Sequence, residues 1–259
     1  MTEAPIHEAD LIHTRALQVS LAVEESAAFW AHHDPARTRT DEAIIAFEER
    51  WFGHRSLARV RVLLGAFEER FVAFGPAQAA LARWLPRDAS TRGPICHWHV
   101  QLADPLYRAF ASTFLDSQRE RPERAVTHDH VERWLEQGWS ARWGPSTRAR
   151  MASGLLSTAA AAGLCGDPEG PLNARPLRWP AVSDDALTWL LYLLRAVGFT
   201  GTLRANPYLA SVGLTGELLE QRLRGLTALR YGRMMDVTEF GWLHPDLNAW
   251  VDSRNGDLR

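Results

Sequence analysis

Residues 56–74 read SLARVRVLLGAFEERFVAF. Val60, Leu63, Leu64, Phe67, Phe71 and Phe74 recur at steps of three and four, the spacing that gathers apolar side chains on one face of an α-helix. Ser56 stands where a capping hydroxyl is wanted, and Gly75-Pro76 ends the run. The neighbours on both sides follow the same rule. Upstream, Thr40 with Asp41 and Glu42 predicts a cap and an acidic first turn ahead of an apolar face of Ile44, Ile45, Phe47 and Trp51. Downstream, Ala77 to Leu85 predicts a short helix running into a loop over Pro86 to Pro94.

The middle of the chain continues in helices. Ile95 to Phe114 is its densest apolar segment, with Asp104 and Pro105 reading as the cap and first residue of a new helix. Gln118 to Arg124 reads as a loop, Thr127 as the cap of His128 to Gln137, and Ser146 or Thr147 as the start of a helix that Gly163 stops. Residues 166–182 are rich in Pro and Gly, with a short edge strand expected at Leu177 to Trp179; they read as a linker. Beyond it Ser183 caps a helix to about Val197, Asn206 to Val212 and Thr215 to Arg224 follow as helices, and Ala228 to Trp242 changes to a two-stranded period. The expected fold is mainly α. A helical domain (1–165), with a helix-turn-helix-like second half, precedes the linker, and a winged-helix-like domain (183–259) with a small β-hairpin follows it.

Composition narrows the function classes. The 259 residues carry 29 arginines, no lysine and 31 carboxylates, for a net charge of -2, which argues against non-specific coating of nucleic acid but leaves room for a local positive face. The first thirty residues lack a basic segment followed by an apolar one, so no signal peptide is expected. The most apolar stretch, Ala186 to Phe199, contains Arg195 and is shorter than the roughly 20 residues that a spanning helix needs. Cys96 and Cys165 lie far apart and form no Cys-x-x-Cys, so neither a disulfide framework nor a zinc site is expected. A cytoplasmic protein that makes no membrane contact is the expectation.

The order helix, short helix, capped helix, hairpin after residue 183 is that of a winged helix-turn-helix, whose third helix faces the major groove while the hairpin touches the backbone. Arg222 and Arg224 on that helix and Arg230 and Arg233 on the hairpin are the candidate contacts, since a planar guanidinium suits both phosphates and guanine edges. A second set, Arg142, Arg148 and Arg150, brackets the start of the 146–162 helix, where backbone N–H groups and arginines together favour a phosphate. The pairs His97/His99 and His128/His130 are spaced by two, which on a helix sends the partners to different faces; packed or capping histidines are expected rather than a metal site. No phosphate-loop, nucleophile-elbow or zinc-protease motif is present, so no enzyme and no cofactor are expected, although a nuclease built from scattered acids stays open.

Two stretches, WHVQLADPLYRAFASTFL (98–115) and STRARMASGLLSTAAAAGL (146–164), together with Val131 to Trp134 and the aromatic-rich N-terminal helices, resemble the BrxA family of BREX bacteriophage-exclusion systems. The likeness covers residues 15–165; NPYLASVGL at 206–214 departs from it. The resemblance implies a small helical, non-enzymatic accessory protein that binds double-stranded DNA in a defence system. The alternative is a structural adaptor that binds other proteins of that system and does not touch DNA.

Overall fold

The computed structural model describes residues 7–12, 18–139, 142–203, 205–234 and 237–256. The chain is mainly α. Its first part holds α1 (Val23–His32), α2 (Arg39–Glu48), α3 (Leu57–Arg70), α4 (Ala77–Trp84) and α5 (Ala89–Ala103). Next come α6 (Pro105–Ala109), a π-turn over Phe110–Phe114, α7 (Leu115–Arg119), β1 (Ala125–Val126), α8 (His128–Trp139) and α9 (Pro145–Ala161). After β2 (Arg175–Pro176) follow α10 (Asp184–Ala196), α11 (Pro207–Ser211), α12 (Gly216–Gly225), the antiparallel hairpin β3 (Leu229–Met234) and β4 (Val237–Trp242), and α13 (Leu247–Gly256).

The central element is α5, and it begins before the sequence predicts. Its first turns fall within the expected loop Pro86 to Pro94, although Pro94 cannot donate to the carbonyl four residues back. Here that carbonyl, on Ser90, accepts the backbone N–H of Ser183 at 3.0 Å, and the Thr91 and Ser183 hydroxyls meet at 2.7 Å. The gap left by proline is thus filled from a segment far along the chain, and the helix runs through Pro94. From Pro94 to Leu102 every residue is buried, so α5 is enclosed on all sides over that stretch. Helix α10 packs on it from the C-terminal part and α1 and α3 from the N-terminal part, while α13 lies on α4.

Trp30, Trp98, Trp189 and Trp250 are fully buried in one continuous apolar core drawn from both sides of residues 166–182, and Trp84 bridges them by stacking on Trp189 at 5.7 Å and meeting Trp250 edge-on at 5.1 Å. The expected linker therefore does not divide the core. Within it the strand falls at Arg175–Pro176 rather than Leu177 to Trp179, and the Leu177 N–H carries the register one step further, to the Arg124 carbonyl at 2.8 Å.

Four local expectations shift. The cap of α2 is Thr38, not Thr40, and α2 turns inward its small side chains Ala43 and Ala46, leaving Ile44 and Phe47 exposed. Glu42 is buried with them, held by the His33 ring at 2.8 Å and the Asp34 N–H at 3.2 Å. Helix α7 carries the chain to Arg119, inside the expected loop. Helix α9 starts at Pro145 behind Gly144, one residue ahead of the hydroxyls expected to open it. The caps at Ser56, Asp104, Thr127 and Ser183 form as predicted.

Candidate nucleic-acid interface

The start of α9, like that of α5, has no side-chain cap and no acid in its first turn. The side chains of Thr38, Ser56 and Ser183 accept backbone N–H groups at the starts of α2, α3 and α10, and α2 and α10 also carry acids in their first turns. Helix α9 has Gly144 as its cap residue, Pro145 next and no acid in the first turn. Its positive dipole end therefore faces no acid from its own first turn.

Three arginines stand around it, in two different conditions. Arg148 is buried: Nη1 donates to the Trp143 carbonyl at 2.8 Å and Nη2 to Glu136 Oε1 at 3.0 Å, so it fastens the α8–α9 turn rather than offering a free charge. Arg142 and Arg150 are exposed, and neither guanidinium has a partner among the described residues.

The C-terminal arginines are more engaged. Arg222, half-buried, places Nε and Nη2 on Asp184 Oδ1 at 3.2 and 2.8 Å and Nη2 also on the Val182 carbonyl at 2.8 Å, tying α12 to the start of α10. Arg224 reaches Glu220 Oε2 one turn back at 3.2 Å. Arg230 is exposed on β3 opposite Gly241. Arg233 pairs its backbone with Thr238, and its side chain lies outside the described residues. Both residues expected to reach base edges are thus held by carboxylates. Charge runs the same way: residues 119–150 carry seven arginines against five carboxylates, whereas 183–259 carry eight against nine.

Sequence reasoning missed Arg121 and Arg133, both exposed and without carboxylate partners among the described residues. Arg121 sits in what reads as a loop, and Arg133 is one helical step from His130 on α8, a spacing that would have found it had the polar face of that helix been traced. The stretch also brings His128 together with Asp129 and Glu132, rather than with His130: their ligand atoms lie within 4.8 Å of one another. His128 Nε2 donates to the Ala149 carbonyl at 2.9 Å, and Nδ1 lies 3.7 Å from Glu132. One imidazole and two carboxylates from a single turn fall short of the four protein ligands of a structural zinc site.

His97 and His99 are core residues. His99 Nδ1 donates to the Arg70 carbonyl at 2.6 Å and its Nε2 accepts from Trp189 Nε1 at 3.3 Å, while the His97 ring lies between the Tyr107 and Ser211 hydroxyls, each at 2.9 Å. Burial pushes both imidazoles down to about 3. The thiols of Cys96 and Cys165 are free and buried, and burial pushes Cys96 up to about 12. Among the described residues no helix is long and apolar enough to cross a membrane.

No family model matches the chain, and no curated protein does. A solved structure is similar to it, that of an uncharacterized protein from Magnetospirillum magneticum, with 16% identity and a TM-score of 0.53 over 72% of this chain and 97% of that one. At that identity the likeness speaks for the fold alone.

Proposed function

We propose that the protein is a non-enzymatic, double-stranded-DNA-binding accessory protein of a BREX-like defence system, and that it seats backbone phosphates at the start of α9. One observation carries this reading: an uncapped, acid-free helix start flanked by the exposed, unpartnered guanidinium groups of Arg142 and Arg150. A phosphate there would meet backbone N–H, the Ser146 hydroxyl and two positive charges. Contacts of this kind position a duplex without reading its sequence. The resemblance to the BrxA family supports the same role.

The test is a fluorescence titration against a random duplex at two salt concentrations. The double substitution Arg142→Ala/Arg150→Ala should weaken binding on every sequence alike and flatten the salt dependence by about 2 in log–log slope, close to one per lost phosphate contact. Arg222→Ala, by contrast, should leave binding near that of the parent and lower stability instead, because its charge is already matched by Asp184. Unaltered binding by the double variant would overturn the assignment.

A second reading, an adaptor for other proteins of the system, draws on Ile44 and Phe47. They stand three residues apart on one face of α2, exposed at 41% and 42%. A parent protein that binds no duplex even at low salt would give way to this reading.

A further inference from the structure

A cleft of about 210 Å³ opens between α7, with the turn after it, and the polar face of α8. Arg121 and Arg133 stand on its two sides, and no carboxylate is among its described lining residues. Its wall is aromatic: Trp134, only partly buried, packs on Phe114 with ring centroids 5.0 Å apart.

The informative residue is Gln118, 2% exposed and lining the cleft. The Ser117 hydroxyl gives its single proton to the Phe114 carbonyl at 2.7 Å, so its oxygen can only accept from Gln118, at 3.3 Å. That fixes Nε2 toward Ser117 and leaves Oε1 as a buried acceptor with no donor among the described residues. The Nδ1 atom of His130 is likewise buried and unpartnered. Burial, then the charges of Arg133 and Arg121, hold this imidazole below the usual histidine range, with Asp129 and Glu123 opposing more weakly. An unpaired buried polar atom is costly, and native structures place few of them without purpose.

The cleft therefore offers two guanidinium donors, one obligate acceptor and an imidazole whose Nδ1 is unpaired. Its complement is an anion that still carries a hydrogen-bond donor. A phosphodiester has no such proton, and neither has sulfate near neutral pH. A phosphomonoester has one on about half its molecules near pH 6, where its second ionisation falls, and free phosphate keeps at least one P–OH throughout the neutral range.

We propose that this cleft binds a phosphomonoester or free phosphate, with Arg121 and Arg133 on the anionic oxygens and Gln118 Oε1 accepting the remaining P–OH. The site goes beyond the duplex-binding reading and stands whether or not that reading holds.

Calorimetric titration of the full chain at pH 6 with orthophosphate, thymidine 5′-monophosphate, sulfate and dimethyl phosphate tests it. Both phosphate compounds should bind, and sulfate and dimethyl phosphate should bind at least about 10-fold more weakly. Arg121→Gln/Arg133→Gln, at exposed positions that leave the fold intact, should lower phosphate affinity at least about 10-fold. Gln118→Met, close in volume but without the acceptor, should reduce phosphate to the level of sulfate. Tighter binding of the nucleotide than of orthophosphate would identify a terminal nucleotide stacked on Trp134 as the ligand, and equal binding would identify free phosphate. Arg142→Ala/Arg150→Ala should leave every one of these affinities unchanged, which separates this site from the duplex contact. The proposal is overturned if neither phosphate compound binds, if sulfate or dimethyl phosphate binds as well as phosphate, or if the arginine pair can be replaced without loss.

Discussion

Denaturant unfolding at pH 7, 5.5 and 4 is expected to show stability falling steeply with acid, by several kcal/mol, with His97 and His99 as the main cause. Each is neutral by construction. A carbonyl can only accept and an indole N–H can only donate, so His99 between Arg70 and Trp189 must carry its proton on Nδ1 and keep Nε2 bare. Ser211 gives its own proton to the Tyr208 carbonyl at 2.7 Å, so His97 donates to it through Nε2 and accepts the Tyr107 hydroxyl at Nδ1. A second proton on His99 would set two donors face to face in a dry core, and one on His97 would displace the hydrogen bond that Tyr107 donates. Both rings titrate near 3 in the folded protein, against about 6.5 when unfolded. Between those values the unfolded chain binds protons that the folded one refuses, so stability rises with pH there. It is full above 6.5 and is lost as pH falls toward 3, with a slope of up to about 1.4 kcal/mol per pH unit for each ring. His99→Gln, which can still donate and accept, should remove about half of that slope. A profile flat from pH 7 to 4, or one that His99→Gln leaves unchanged, would contradict the assignment.

The second large effect is expected at Arg70. Its guanidinium is buried at the end of α3 and donates to the carbonyls of Val19, Ser20 and Leu21 at 2.7, 2.9 and 3.3 Å. Burial pushes it down to about 10, so it stays charged at neutral pH. Arg70→Met should cost about 3–5 kcal/mol, because three inward-facing carbonyls lose their donor together. Arg70→Lys should recover little, since one ammonium cannot copy a planar fork that serves three acceptors. Thermal and denaturant unfolding measure both. An Arg70→Met protein within about 1 kcal/mol of the parent would show that the segment before α1 is held by packing alone.

What was legible in the sequence is what local chemistry decides. The caps at Ser56, Asp104 and Ser183, the apolar face of α3 and the hairpin are written within a few residues of where they act. The start of α5 was not, because the hydrogen bond that excuses Pro94 comes from Ser183. The inward face of α2 was not, because close packing on α3 favours alanine over the larger Ile44 and Phe47. At the candidate interface the arginines were legible, but their partners were only partly so. Arg224 and Glu220 stand one helical turn apart, whereas Arg222 meets Asp184 from 38 residues away. Gln118 gave no signal at all, since a buried glutamine in an expected loop looks like any other polar residue until its neighbours are known.

The enclosure of α5 has a consequence for how the protein is made. Ribosomal synthesis delivers α5 long before its cover: α10, which packs on it, is complete only at Ala196, so at about 5–20 residues per second the helix waits roughly 5–20 s with Trp98 and His99 uncovered. During that interval the nascent chain presents an apolar helix and the open end of a proline gap that only Ser183 closes. Slow translation between residues 103 and 196 therefore lengthens the interval in which that apolar surface is open to misassembly.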